Sequence, residues 1–176
     1  MIIAHHLIIT AYGWWLPNDP RGSTSRTIEC DVLKELGELH YGRKKIQPPS
    51  REIRTFYECA EDLLKHELLT FDDRAVQVIS DAFGKCIQEN NYTCYGGVIM
   101  HDHVHLCIRK HKHHAEKMME RLAQCSARAM VDLDLRRNGH PTWGTGCWKV
   151  FLDTPEDVRR TITYIEQNPV KFHRPI

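Results

Sequence analysis

Two stretches of this chain carry side chains whose types and spacing can do chemistry together. The first is His103-Val104-His105-Leu106-Cys107-Ile108. Read as a strand, it alternates: Val104, Leu106 and Ile108 point one way, and His103, His105 and Cys107 the other. The apolar side should face helices and leave the histidines on an open sheet face. Two imidazoles at i and i+2 stand roughly 7 Å apart at Cα on one side of a strand, so both reach one cation above the sheet. Neutral imidazole suits first-row divalent metals and accepts magnesium or manganese when oxygen ligands complete the shell. A polar sheet face that merely happens to hold histidines is the competing reading, because the chain has 12 of them.

The second stretch opens at Thr154-Pro155-Glu156-Asp157, which reads as a helix start: a capping threonine, proline at the first helical position, acids in the first turn. Val158, Ile162 and Ile165 mark a buried stripe. Thr161, Tyr164 and Asn168 fall along one flank of it, so Tyr164 sits at the edge of the core with its hydroxyl able to emerge. Pro169 should end the helix. A phenol has an ordinary pKa near 10 and needs help as a nucleophile. A metal that polarises a phosphate supplies that help, and an amide oxygen one turn from the tyrosine can ligate the same metal. The bland alternative is an interfacial tyrosine whose hydroxyl meets water, with Asn168 as a helix C-terminal residue.

These side chains need a scaffold, and the order of elements supplies one. Residues 4–11 read as a strand, 13–24 as a loop, 72–91 as a helix capped by Asp72 or Asp73, and 92–100 as a strand with a bulge at Gly96-Gly97. Strand 103–109, a helix over about 113–135, a strand from Trp148 to Leu152 and the tyrosine helix follow. Short helices are expected near 32–40 and 53–65, on either side of Pro48-Pro49. The pattern is α+β, a ferredoxin-like or RRM-like antiparallel sheet with helices on one face. It forms one domain over residues 1–176, with an inserted segment at about 25–70.

The seven cysteines show no C-x-x-C pair, which argues against a cysteine zinc site or a disulfide framework. No apolar run approaches the roughly 20 residues of a membrane span, and the start lacks a signal-peptide pattern, so the expected location is cytoplasmic. A net charge of +1 does not advertise a nucleic-acid binder, so positive charge would have to act locally. Arg109, Lys110 and Lys112 directly follow the histidine strand and can meet phosphates, though a solvated strand end needs no function. Another basic stretch is Arg43-Lys44-Lys45. Trp14 and Arg21, in the loop after the first strand, can stack on unpaired bases; packing of the insertion explains the tryptophans equally well.

Taken together, Met100-His101-Asp102-His103-Val104-His105-Leu106 resembles the Met-Pro-Asp-His-Val-His-Leu signature of the HUH single-tyrosine transposases. Tyr164-Ile165-Glu166-Gln167-Asn168-Pro169-Val170-Lys171 resembles the Tyr-Ile-x-x-Asn-Pro-Val-Lys segment of their REP-associated tyrosine transposase branch. The resemblance spans roughly residues 90–171 plus the first strand. It implies metal-dependent cleavage and rejoining of single-stranded DNA through a 5′-phosphotyrosine intermediate, with Mg2+ or Mn2+ as cofactor. The DNA partner would be hairpin-bearing, and a homodimer is open. By position, Tyr164 is the nucleophile, His103 and His105 are metal ligands, and Asn168 stands where the other branch has a glutamine ligand. Lys171, at the end of the second motif, joins the candidate DNA contacts. His101 departs from the signature, which has proline there, and the insertion is longer than in minimal members.

Two rival readings remain. One is a nucleic-acid-binding module that kept the fold and lost catalysis. The other is a histidine-triad nucleotide hydrolase, which His101-Asp102-His103-Val104-His105 also resembles; that family keeps the Asp102 position apolar and needs no metal.

Overall fold

The computed structural model describes residues 1–42 and 44–171, with side chains as far as Asn168. The chain divides into two compact units: Met1–Tyr12 with the chain from Thr70 onward, and Gly13–Leu69.

The first unit is built on four antiparallel strands, β1 (Ala4–Thr10), β2 (Cys94–Ile99), β3 (His103–Arg109) and β4 (Trp148–Leu152), in the order β2-β3-β1-β4. This is the expected ferredoxin-like sheet. The β2–β3 register slips between Cys94 and Gly96, one residue before the Gly96-Gly97 pair. The Asp72 side chain caps α2 (Asp73–Glu89), accepting from the Ala75 N–H at 2.7 Å. Ala75, Ile79, Ala82, Phe83 and Cys86 form its buried stripe. Helix α3 (Ala115–Asp132) buries Met118, Met119, Leu122 and Met130, and it also buries Ser126. Ser126 is tolerated because its hydroxyl donates to the Leu122 carbonyl at 2.9 Å and accepts the Trp143 indole N–H at 3.1 Å.

Strand β3 is buried on both faces from His103 to Ile108, which corrects the expectation of an open histidine face with helices only on the other side. By alternation, Leu7 and Ile9 of β1 share the face of Val104, Leu106 and Ile108, and α2 and α3 contact this sheet. The other face is covered by α4 (Pro155–Lys171). Its Ile165, with Val158 and Ile162, packs on Ala4, Val98, Cys107 and Leu152. The reason is the composition of that face: around the two histidines it offers apolar side chains, and the stripe on α4 needs such a surface. Replacing Ile165, which is 1% exposed, with alanine should cost about 2–5 kcal/mol in urea denaturation. A loss below about 1 kcal/mol would mean that α4 is not seated on the sheet.

Helix α4 begins as expected. The Thr154 hydroxyl accepts the Asp157 N–H at 3.1 Å, and the Asp157 carboxylate accepts the Thr154 N–H at 3.2 Å. It runs through Pro169 to Lys171 rather than stopping before the proline. A proline in the last turn removes one hydrogen bond, and the helix ends two residues later.

The second unit lies in the chain between β1 and α2. It starts at Gly13, and Leu16, Asn18 and Asp19 are among its buried residues. It holds a short 3-10 helix (Asp31–Leu36) and α1 (Ser50–Leu63). Its core is Leu16, Tyr57 and Ala60, flanked by Trp14, Ile53 and Leu64. Gly13 has φ +84°, and a Cβ there would lie 2.6 Å from Leu68 Cδ2, so only glycine fits.

Candidate active site

The register of β1 against β3 places Thr10 opposite His103, Ile8 opposite His105 and His6 opposite Cys107, all on the face that α4 covers. His103 and His105 have ring centroids 4.8 Å apart and are buried. Each is held by a partner on Nδ1. His103 Nδ1 lies 2.6 Å from Asp102 Oδ1, and His105 Nδ1 lies 3.0 Å from His6 Nε2. A carboxylate accepts the Nδ1 proton of a neutral imidazole, so Nε2 of His103 is its basic nitrogen. When His105 donates from Nδ1 to His6, its Nε2 is basic too. Burial is the main cause that lowers the His105 pKa to about 2, with His103 and His6 adding to it against Asp102. Burial likewise lowers His6 to about 4. Both rings are therefore neutral at ordinary pH, the form that ligates metals.

Tyr164 comes down from α4 onto this row. Its ring centroid is 5.4 Å from that of His105 and 5.9 Å from that of His6, edge to face in both cases. It is 37% exposed, whereas Asn168, one turn later, is 3% exposed. The Asn168 amide nitrogen donates to the Tyr164 carbonyl at 3.1 Å, which assigns its Oδ1 as the atom for another partner. Among the described residues no three His, Cys, Asp or Glu side chains converge as a metal cage. The donor set is instead two imidazoles with an amide oxygen nearby in sequence on α4. That set fits a hard divalent ion that keeps water or phosphate oxygens in its shell.

Tyr164, His103 and His105 are thus brought together, as their spacing suggested. His6 was missed. The His5-His6 pair was visible in β1, but only the register shows that His6 shares the face of His105. Where His105 donates from Nδ1, His6 Nε2 is the acceptor that holds that tautomer. His6→Phe keeps a ring beside Tyr164 and removes the Nε2 acceptor, and a Mn2+ titration should show affinity falling about 10–100-fold. An unchanged affinity would leave His6 with a packing role only.

The other candidates divide between the two units. Arg109, at the far end of β3, is exposed and roughly 20 Å from His103 along the strand. Lys110 and Lys112 follow it and are exposed. Trp14 and Arg21 belong to the second unit and have internal partners. The Trp14 indole donates to the Leu69 carbonyl at 2.9 Å and packs on Tyr57. Arg21 pairs with the buried Asp19 carboxylate at 2.7 Å, with its guanidinium 3.8 Å over the Trp15 ring. The Lys171 side chain and Arg43 fall outside the described residues. His101 precedes β3, and its Nδ1 meets the Phe71 carbonyl at 2.9 Å, so it does not continue the histidine row along the strand. Beyond β1, the face continues to Trp148 and Val150 on β4, opposite Ile8 and His6, and both are more than a third exposed.

Comparison with known proteins bears on the family and the fold. The family model for IS200-like transposases matches residues 64–168. A REP-associated tyrosine transposase, solved bound to a REP hairpin, superposes with a TM-score of 0.51 at 11% identity, covering 97% of this chain and 68% of that one. A Deinococcus radiodurans R1 protein taken to be a transposase gives 0.48 at 14% identity, covering 95% and 91%. No curated protein matches the sequence.

Proposed function

The chain belongs to the IS200-like transposase family, and from that premise we propose that it cuts and rejoins single-stranded DNA with Tyr164 as nucleophile. The observation that carries the reading is Tyr164 poised edge-on over His105, 5.4 Å between ring centroids, on the only strand with two inward histidines at i and i+2 among the described residues. The phenol oxygen attacks the scissile phosphorus, the P–O bond to the 3′ oxygen breaks, and a 5′-phosphotyrosine and a free 3′-OH result. The phenol proton passes to solvent, which returns one to the leaving 3′ oxygen. Attack by another 3′-OH reverses the step and releases Tyr164.

His103, His105 and Asn168 are the proposed holders of Mg2+ or Mn2+, whose chemistry there is to draw charge from the scissile phosphate. Asp102 and His6 fix the histidine tautomers. The exposed Trp148 and Val150 offer the DNA an apolar, stackable surface beside His6 and Ile8. Exposed Arg109, Lys110 and Lys112, with Lys171, are proposed backbone contacts. The substrate we propose is hairpin-bearing, as the DNA of the REP-associated relative is. One functional domain with Gly13–Leu69 inserted would perform this.

The test is to incubate the protein with end-labelled, hairpin-bearing DNA pools and either Mg2+ or Mn2+, and then to run denaturing protein gels. A metal-dependent covalent band, absent with chelator, is the expected result. DNA binding without any band across a broad pool would instead support the binding-module reading. The histidine-triad alternative, which needs neither metal nor Tyr164, would give no such band.

A further inference from the structure

We propose that the Thr10 hydroxyl is a further substrate-positioning group, one that donates a hydrogen bond to a phosphate oxygen of the DNA strand at the point of cleavage. This inference rests on the proposed cutting of single-stranded DNA by Tyr164. Thr10 ends β1 on the face that α4 covers, opposite His103. The next pair along, Ala11 and Asp102, is joined by a hydrogen bond of 2.8 Å from the Ala11 N–H to the Asp102 carbonyl. Hydrogen-bonded and non-hydrogen-bonded pairs alternate along an antiparallel ladder. Thr10 and His103 are therefore a pair of the second kind, with side chains at their closest and Cα atoms about 4.5 Å apart.

Solvent reaches this face at Thr10. Ile8 and Thr10 are the half-buried residues of β1, and the rest of the strand is buried. Both lie on the face of His103 and His105. Ile165 seats α4 on Ala4 and Leu152, at the opposite end of β1. The opening therefore runs from Thr10 past Ile8 to the exposed Trp148, while Tyr164 stands over the neighbouring His105 and His6. Among the described residues nothing hydrogen-bonds to the Thr10 hydroxyl.

The loop before β4 keeps a place for that hydroxyl. The Gly144 N–H donates to the Thr10 carbonyl at 2.9 Å, which holds this residue against the end of β1. A Cβ at position 144 would lie 2.8 Å from Thr10 Oγ1. Gly144 is not among the glycines with positive φ, so its backbone conformation does not call for glycine. The space beside the hydroxyl does. Packing alone would be served as well by valine, which has the same branched outline and suits a strand. What threonine adds is a donor that carries no charge. Phosphate oxygens accept hydrogen bonds, and a donor on a stiff side chain in the sheet orients the phosphate for attack.

The test uses the full chain, in excess over the labelled hairpin-bearing DNA that gives the covalent band, and follows the rate of adduct formation. Thr10→Val should slow that rate by about tenfold or more, the effect of losing one hydrogen bond to a charged oxygen. Affinity for the same DNA, read by fluorescence anisotropy in EDTA, and affinity for Mn2+ should both stay within about threefold of the parent. Thr10→Ser restores the hydroxyl and should return the rate to within about threefold of the parent. Gly144→Ala keeps the hydroxyl but crowds its place, and should slow the reaction in a protein whose circular dichroism matches the parent. A parental rate in Thr10→Val overturns the inference. So does a Thr10→Ser as slow as Thr10→Val, which makes side-chain shape the cause. A loss of Mn2+ affinity alongside the slow rate also overturns it, because the hydroxyl then serves the metal site and not the DNA. In each of these cases the parent's adduct leaves the Tyr164 reading standing. A parent that forms no adduct with any DNA in the pool overturns the proposed function and this inference with it.

Discussion

Tyr164→Phe should leave a protein that folds and binds hairpin DNA but forms no covalent adduct. The substitution removes one oxygen. The ring contacts with His105 and His6, at 5.4 and 5.9 Å between centroids, are kept. The residue is 37% exposed, so the stability change should stay within about 1 kcal/mol. DNA affinity should change by no more than about threefold, because the hydroxyl is proposed as the attacking atom and not as a docking surface. Adduct formation should drop by roughly 10⁴-fold or more, below detection on a denaturing gel, since a lost nucleophile has no substitute in the row. A residual adduct of comparable yield would place the nucleophile on another residue, and a peptide map of the labelled protein would find it. Loss of DNA binding along with the adduct would instead point to a structural role for the hydroxyl.

Much of this site could be read from residue types because its parts are local. An i, i+2 histidine pair fixes its own geometry once the segment is a strand, and the same holds for the tyrosine and asparagine one turn apart on α4. The ends of β3 and β4 and the Asp72 cap were legible for the same reason, since strand alternation and capping act over a few residues. The face that α4 covers was not legible. A strand in which both faces are buried looks, from its own residues, like one with an open polar side, and only the fit of Val158, Ile162 and Ile165 to Cys107, Ala4 and Leu152 decides it. His6 was hidden because its partner is 99 positions away and cross-strand register is not a local property. The same non-locality hid the partners of Arg21, which joins a network around the buried Asp19 whose tyrosine member, Tyr57, lies 38 residues on.

His105→Ala should be the most damaging change at the metal end of the site, and more damaging than His6→Phe. It deletes a proposed ligand rather than the group proposed to orient one. Expected is a fall in Mn2+ affinity of more than about 100-fold, beyond the 10–100-fold that loss of an orienting partner brings. Adduct yield in Mg2+ should drop to the level of the parent protein in chelator. The change also empties a buried position and leaves His6 Nε2 facing the gap, so a stability loss of about 1–3 kcal/mol is expected in denaturant. That loss complicates a bare activity assay, and His105→Leu separates the two effects. It restores most of the buried volume, so stability should recover by more than half. Leucine has no ligating atom, so metal affinity should not recover. Measured together by Mn2+ titration and urea denaturation, the pair should give a recovered fold beside an unrecovered metal site. If His105→Leu regains both, the histidine is there for packing, and the ion must be held by other groups around Tyr164.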